Sequence, residues 1–241
     1  MRILILVCLI FCLSLSGCED KKKTSEEKTE TVKEVKKDSI LSKDVSEVNK
    51  KEIENPYPKI TNDNVVEFLT QYGKDNTETK VRITTQHGVI EMQLFEDTPL
   101  HRANFIYLIK QKYFENTFFY RIAPGFIIQA GNSDLPSTPK KRAEIGKNYR
   151  LPAEISKKRT HQYGSLCGAK EYRENPDKKS APFEFYIFIG EPRQANHLND
   201  DYTIFGKVIK GMGVVETIAN LPADKGEWPE QNVYISAEVL N

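Results

Sequence analysis

One stretch of the sequence, residues 119–131, holds the side chains best suited to chemistry. It places a guanidinium at Arg121, an aromatic ring at Phe126 and an amide at Gln129. Strand-forming residues lie on both sides of a Pro-Gly pair, which is typical of a strand, a turn and a second strand. The three side chains can therefore converge on one surface. A hydrogen-bond donor, an apolar ring and an amide would then lie together on that surface.

The cysteines and histidines predict no metal site and no internal disulfide. Two of the four cysteines lie in an apolar N-terminal segment and a third, Cys18, follows it, which leaves Cys167 as a single thiol in the remainder. No cysteine pair has CxxC spacing, and no histidine pair has HxxxH or HExxH spacing. We expect Cys167 to be a small core residue, with a reactive thiol as the alternative.

Residues 119–131 closely resemble the cyclophilin signature F-x-R-I/V-x-x-x-F-x-x-Q-x-G, and cyclophilins are the cyclosporin-type peptidyl-prolyl isomerases. The resemblance extends from about Lys80 to the C-terminus through further short matches in the same order. These are Leu94-Phe95-Glu96-Asp97, Pro99, Asn104-Phe105, Gly164-Ser165-Leu166, Phe185-Tyr186-Ile187, Leu198 and Phe205-Gly206-Lys207-Val208. The alternative is that these residues only form the core of an unrelated β domain.

Similarity to cyclophilins implies an eight-stranded barrel capped by two helices, with the active site on its outer face. At the matching positions, Arg121 would be the catalytic guanidinium, Phe126 the floor of a proline pocket, and Gln129 an amide that orients Arg121 or the substrate. Further matches imply substrate contacts. They are Ile127, where the family usually has Met, Ala169 and Lys170 in a strand that contacts the substrate backbone, Tyr186, Leu198 in the pocket wall, and Tyr202, where His or Tyr occurs.

Glu184 stands where the family usually has a glutamine that hydrogen-bonds the substrate, and Phe183 before it replaces a serine. We assign Glu184 to the substrate-binding set, although a carboxylate lacks the donors of an amide. It is also expected to pair with Arg121 in the free site and to compete with substrate for the guanidinium. These departures leave a second function open, that of a proline-binding chaperone or scaffold with weak or no isomerase turnover.

The reaction that the resemblance implies is rotation about an X-Pro amide, which has a barrier of about 20 kcal/mol and takes tens to hundreds of seconds unaided. Twisting the amide returns a lone pair to the prolyl nitrogen. A donor such as Arg121 therefore stabilises the twisted state more than the planar state. No cofactor, metal or nucleophile is required, and proline-containing polypeptides are the expected clients.

Eight strand-like runs must position these side chains. They are residues 81–85, 89–95, 117–122, 126–130, 164–169, 183–189, 203–209 and 234–240. One helix is expected to begin with Thr98 as N-cap and Pro99 as first position, and another to span about 213–221. Short strands without regular βαβ alternation favour a mainly β fold, a closed antiparallel barrel, at residues 80–241.

Residues 55–79 are expected to form a linker with one short extra helix. Asn62 suits the N-cap of this helix, and Gly73 suits its end. Its apolar face would consist of Val65, Val66, Phe68 and Leu69. We expect it to pack on the outside of the domain.

Residues 1–17 predict an export signal, because an arginine precedes an apolar run at 3–13 that is shorter than the 20 or so residues of a membrane span. Leu15-Ser16-Gly17-Cys18 then resembles the lipobox of bacterial lipoproteins, in which the signal is cut before the cysteine and the cysteine is acylated. We expect a lipid on Cys18 to anchor the chain in the bacterial cell envelope, in the outer membrane facing the periplasm. A plain secretory signal is the alternative.

Residues 18–54 are expected to be a charged flexible tether. Residues 19–54 include 10 lysines and 11 acidic residues and no aromatic residue, so they bury too little apolar surface to offset the entropy of ordering. A transient helix with Leu41, Val45 and Val48 on one face is the alternative.

The charge of the whole chain points to no nucleic-acid partner. With 35 Lys+Arg and 34 Asp+Glu the formal net charge is +1, which creates no global field that would attract nucleic acid. Short basic runs such as residues 140–142 are expected in solvated loops. We expect a monomer that contacts the membrane through its lipid.

Overall fold

Eight strands close into a barrel in this computed structural model, which describes residues 55–171 and 174–241. The strands are β1 (Lys80–Thr85), β2 (Gly88–Leu94), β3 (Thr117–Ala123), β4 (Ile127–Asn132), β5 (Ser165–Gly168), β6 (Phe185–Phe188), β7 (Ile204–Lys210) and β8 (Val233–Leu240). Their order around the barrel is β1-β2-β7-β5-β6-β4-β3-β8, and every neighbouring pair is antiparallel. The predicted closed eight-stranded barrel is confirmed.

Alternation in the sequence decides which side chains fill the barrel. In β2, Ile90, Met92 and Leu94 are buried, whereas Glu91 and Gln93 between them are partly exposed. This is the period of two that a strand with one core-facing side requires. Each predicted run overlaps one observed strand, because this pattern and the turn residues between runs are local properties of the chain.

In the part of the chain that the structure describes, four α-helices accompany the barrel, namely α1 (Val65–Asp75), α2 (Pro99–Lys110), α3 (Ser137–Ile145) and α4 (Met212–Ala219). The two expected barrel helices are α2, which begins at Pro99 directly after Thr98 as predicted, and α4. Helix α4 ends at Ala219, two residues earlier than expected, and Asn220 Nδ2 then donates to the carbonyl oxygen of Glu216 at 2.8 Å. No helix within residues 55–171 and 174–241 is long and apolar enough to cross a membrane.

The extra helix α1 forms where predicted, but with different ends. Asn64, and not Asn62, occupies its N-cap position. Gly73 does not end the helix. A Cβ at Gly73 would lie 3.2 Å from Ala103 Cβ on α2, so the missing side chain allows the two helices to approach closely. Val66, expected on the apolar face, is exposed.

Helix α3 is absent from the sequence prediction because it lacks an apolar period and buries only two of its residues. Hydrogen bonds from its basic side chains hold the helix in place instead. Lys141 Nζ donates to three backbone carbonyl oxygens in the loop at 111–116, and Arg142 Nε donates to Tyr113 Oη at 2.9 Å. The expectation of a solvated basic loop at 140–142 is therefore wrong.

Residues 55–79 lie against α2 through a cluster of aromatic rings. The rings of Tyr57, Phe68, Tyr72 and Tyr107 have centroids between 5.1 and 5.9 Å apart. The export signal at 1–17, the lipid on Cys18 and the tether at 18–54 lie outside the described residues and stay predictions.

Candidate active site

A cavity of about 200 Å³ opens on the outer face of the barrel. Its lining consists of Arg121, Phe126, Ile127, Gln129, Ala169, Lys170, Tyr186, His197, Leu198 and Tyr202. All of these except His197 are predicted site residues. Glu184, the remaining residue of the predicted substrate-binding set, is not part of this lining.

The barrel can present an apolar cavity on its outside because some strands are apolar on both faces. Ile128, Phe185 and Ile187 belong to the core inside the barrel. Ile127 and Tyr186, which alternate with them along β4 and β6, belong to a second apolar cluster on the outer face. Strands that are buried on both faces are continuous apolar runs in the sequence, as residues 185–188 are.

Strand register brings the polar side chains of the cavity together. Arg121 on β3 is the pairing partner of Gln129 on β4, and Gln129 is in turn the partner of Tyr186 on β6. Directly opposed residues have Cβ atoms about 4.5–5.5 Å apart and extend to the same face of the sheet. The guanidinium, the amide and the ring are therefore neighbours in one row across three strands.

A tight turn carries Phe126 to the edge of the cavity. The backbone N–H of Phe126 donates to the Ala123 carbonyl oxygen at 3.0 Å, and Gly125 has φ of +69°. Pro followed by a residue with positive φ is the arrangement of a type II turn, which favours glycine at this position. The Phe126 ring stacks on the His197 ring at 6.1 Å and meets Phe188 edge-on at 6.2 Å.

Arg121 forms an ion pair with Glu227, whose Oε2 lies 2.6 Å from Arg121 Nε. Glu227 lies in the loop that joins α4 to β8. The expected pairing of Arg121 with Glu184 is wrong. No other described residue hydrogen-bonds the Arg121 guanidinium, so its terminal amino groups, Nη1 and Nη2, are available to a ligand.

The carboxylate of Glu184 binds two partners outside the cavity lining. Arg142 Nη2 on α3 lies 3.3 Å from Glu184 Oε1, and Tyr120 Oη donates to Glu184 Oε2 at 2.8 Å. The ion-pair partner of Glu184 is thus Arg142 on the unpredicted helix α3, and not Arg121 as expected. Because α3 carries no apolar pattern, the sequence offers no local signal for this contact.

Tyr120 connects Glu184 to the cavity. Its hydroxyl donates to Glu184 and accepts a hydrogen bond from Gln129 Nε2. Burial, reinforced by the nearby carboxylate, raises the pKa of Tyr120 well above its usual value, so the hydroxyl stays protonated and continues to donate. One N–H of Gln129 Nε2 is given to Tyr120. Oε1 and the second N–H are left for a ligand, and Oε1 can also accept from Arg121.

Lys170 is held at the cavity by an ion pair and an aromatic ring. Its Nζ lies 2.5 Å from Asp201 Oδ2 and 4.6 Å from the centre of the Tyr202 ring. Asp201 is also within 3.7 Å of Lys178 Nζ. The ion pair holds Lys170 along the rim, where its stem and the Tyr202 ring form one wall.

A buried polar pair supports the floor of the cavity. His161 Nδ1 lies 2.8 Å from Asn199 Oδ1, which also accepts the His161 backbone N–H. An amide oxygen only accepts, so Nδ1 carries the proton and Nε2 accepts from Tyr186 Oη at 2.8 Å. Burial lowers the pKa of His161. Cys167 beside this pair is fully buried, and burial raises the pKa of its thiol, which confirms that it is a core residue.

A second polar cluster has the spacing of a nucleophilic triad. Ser180 Oγ lies 2.9 Å from His101 Nε2, and His101 Nδ1 lies 2.6 Å from Glu154 Oε2. Ser180 and His101 are almost completely buried, and the adjoining cavity of about 10 Å³ has no room for a substrate. Glu154 also accepts the backbone N–H groups of Leu100 and His101 at the start of α2. The cluster therefore anchors α2.

The fold and the cavity together define a class of protein, a β-barrel domain with an aromatic ring, a guanidinium and an amide around one cavity on its outer face. Residues 80–239 match the family model described as cyclophilin type peptidyl-prolyl cis-trans isomerase/CLD. The chain belongs to this family, as its resemblance to the cyclophilin signature implies.

Named relatives agree with this membership. The peptidyl-prolyl cis-trans isomerase of Acinetobacter baylyi is 35% identical over 147 residues, which cover 60% of this chain and 73% of that protein. Peptidyl-prolyl cis-trans isomerase A of Dickeya dadantii is 29% identical over 160 residues, or 65% of this chain and 79% of that protein. A crystal structure of a cyclophilin type isomerase from Cryptosporidium parvum, in the presence of the dipeptide Ala-Pro, superposes with a TM-score of 0.55 and 28% identity over 67% of this chain and 99% of that chain. The predicted enzyme class is confirmed.

Proposed function

We propose that this chain accelerates X-Pro isomerisation in exported proteins at the bacterial cell envelope, and that the cavity of about 200 Å³ is where it does so. The observation that carries the proposal is the convergence of Arg121 and Phe126 on one cavity, which Ile127, Ala169 and Leu198 also line. A proline ring packs on the Phe126 ring, while the prolyl nitrogen lies within reach of the Arg121 guanidinium.

The Arg121 guanidinium lowers the barrier because the prolyl nitrogen becomes an acceptor only as the amide twists. A charge-assisted hydrogen bond contributes about 1.5–3 kcal/mol, and about 1.4 kcal/mol corresponds to a tenfold rate change. Arg121 alone therefore supplies about a ten- to hundredfold acceleration. Burial of the proline ring against Phe126 and Leu198, and Gln129 Oε1 as an acceptor, hold the peptide in position for this step.

Catalysis is favoured over mere proline binding by the position of the two departures from the family pattern. Glu184 binds Arg142 and Tyr120, and Phe183 is buried in the core cluster inside the domain. Neither residue is in the cavity lining. The main reason to expect a chaperone or scaffold without turnover is therefore removed.

The location follows from the N-terminal segments. A signal at residues 1–17 exports the chain, a lipid on Cys18 anchors it, and the charged residues 18–54 separate the barrel domain from the membrane. Isomerisation takes tens of seconds outside the cytoplasm as elsewhere and limits the folding of exported chains. Monomeric barrels on such tethers reach many clients near the membrane.

Two experiments test the activity and the location separately. At a molar ratio well below one, the chain should accelerate the proline-limited refolding phase of an exported protein, whereas a scaffold would act only at stoichiometric amounts. Cys18→Ala should abolish labelling by palmitate and release the protein from membranes without loss of isomerase activity, and Cys12→Ala in the signal serves as the matched control. Retained labelling in Cys18→Ala would contradict the anchor, and a purely stoichiometric effect would contradict the activity.

A further inference from the structure

We infer that Glu227 is a positioning residue for Arg121, which fixes the guanidinium so that Nη1 and Nη2 face the cavity. The inference rests on the proposed function, since it requires Arg121 to act on the substrate. Glu227 is not in the cavity lining, so it influences the reaction only through Arg121.

The contact occupies one particular edge of the guanidinium. Glu227 Oε2 lies 2.6 Å from Arg121 Nε, and the guanidinium is a planar group with five N–H donors in a fixed arrangement. A carboxylate on the Nε side restricts rotation of this plane about the end of the side chain. The terminal amino groups, which carry the other four N–H donors, are then left for the side facing the cavity.

Stability does not explain this ion pair. Arg121 and Glu227 have side chains that are 38% and 43% exposed, and exposed pairs contribute little to folding because water and salt screen them. The pair therefore matters mainly for the orientation of the Arg121 guanidinium in the site.

The backbone at Glu227 is strained, which also points away from a stabilising role. Its φ is +64°, a left-handed conformation that favours glycine over residues with a side chain. Gly226 stands immediately before it, yet the left-handed position carries the glutamate. Strained residues of this kind persist where surrounding contacts hold them and where their side chain is needed.

Neighbouring contacts hold the loop in this conformation independently of the carboxylate. Asp224 Oδ1 accepts the backbone N–H groups of Gly226 and Trp228 at 2.7 and 2.9 Å. The Glu227 carbonyl oxygen accepts the N–H of Ile122, the residue that follows Arg121 on β3, at 2.8 Å. Loop and strand are thus joined directly beside the ion pair, and a change to the carboxylate should leave the loop in place.

Two variants separate positioning from loop structure. Glu227→Gln keeps the length and an oxygen acceptor for Arg121 Nε, whereas Glu227→Asn favours the left-handed backbone but is too short to reach. Positioning predicts that Glu227→Asn lowers kcat by about three- to tenfold, with KM within about twofold and an unchanged or raised Tm. Glu227→Gln should keep at least about half of kcat. If Glu227 only supported the loop, Glu227→Gln would have the lower kcat of the two variants. That result would overturn the inference.

A double-mutant cycle in the full chain decides whether Glu227 acts through Arg121. In the Arg121→Ala background, Glu227→Asn should have no further effect on kcat, because the group that it positions is gone. Glu230→Gln in the same loop is the matched control and should leave kcat unchanged. If Arg121→Ala reduces kcat but Glu227→Asn does not, the inference fails alone. If Arg121→Ala itself has no effect, the proposed function of Arg121 fails.

Discussion

Glu184 forms its ion pair with Arg142, at 3.3 Å between Oε1 and Nη2, and not with the guanidinium of Arg121. Both partners are about four-fifths buried, and the Arg142 guanidinium also lies over the ring of Phe183 at 5.1 Å. Glu184, the acidic departure from the family pattern, therefore supports the site and does not pair with Arg121. Its charge is balanced before a substrate arrives.

Glu184→Gln should change kcat/KM by less than about twofold at any ionic strength, because no charge is removed from the cavity. Stability should fall by about 1.5–3 kcal/mol, because Arg142 loses a largely buried anionic partner, while the amide oxygen still accepts from Tyr120. Isomerase assays at several salt concentrations and urea unfolding measure the two effects. A several-fold gain in kcat/KM at low salt would show that Glu184 competes for Arg121 after all.

Tyr120→Phe should lower kcat/KM by about three- to tenfold, because Gln129 loses the hydroxyl that holds its amide. Stability should also fall by about 1–2 kcal/mol, since Glu184 Oε2 and Gln129 Nε2 lose their partner. Tyr163→Phe removes an exposed hydroxyl outside the cavity lining and is the matched control. If both variants leave kcat/KM at the wild-type value and lower only the free energy of unfolding, Tyr120 has no positioning role.

The free energy of unfolding should fall as the pH drops below about 6.5, the ordinary pKa of histidine. Burial lowers the pKa of His161 in the folded protein, so in this range the unfolded chain binds a proton that the folded chain does not. Unfolding therefore becomes easier until the pH reaches the lower folded pKa, whereas above pH 7 this contribution is constant. Urea unfolding between pH 5 and pH 8 measures the slope. His161→Gln should reduce it, and an identical slope in that variant would exclude His161 as the source.

The parts of this molecule that were predictable from the sequence depend on local patterns. Alternating residues such as Ile90, Met92 and Leu94 identify strands, and the strand-turn-strand spacing places Arg121, Phe126 and Gln129 on one surface. Both follow from the backbone within a few residues.

The parts that were not predictable depend on contacts between distant segments. Arg121 and Glu227 are 106 residues apart, and no spacing in the sequence joins them. Arg142 reaches Glu184 from α3, a helix without an apolar face, and the expected pairing of Glu184 with Arg121 was wrong. The fold determines which ion pairs form, because several cations on the folded surface compete for one carboxylate.

The central claim is that the Arg121 guanidinium accelerates rotation of an X-Pro amide held in the cavity. NMR exchange spectroscopy on a short X-Pro peptide tests it most directly, because it gives the cis-trans exchange rate and the peptide affinity in one sample. We predict that Arg121→Ala lowers the enzyme-bound exchange rate by at least about tenfold while the Kd of the peptide changes less. Exchange at the wild-type rate in Arg121→Ala, with the peptide bound, would contradict the account.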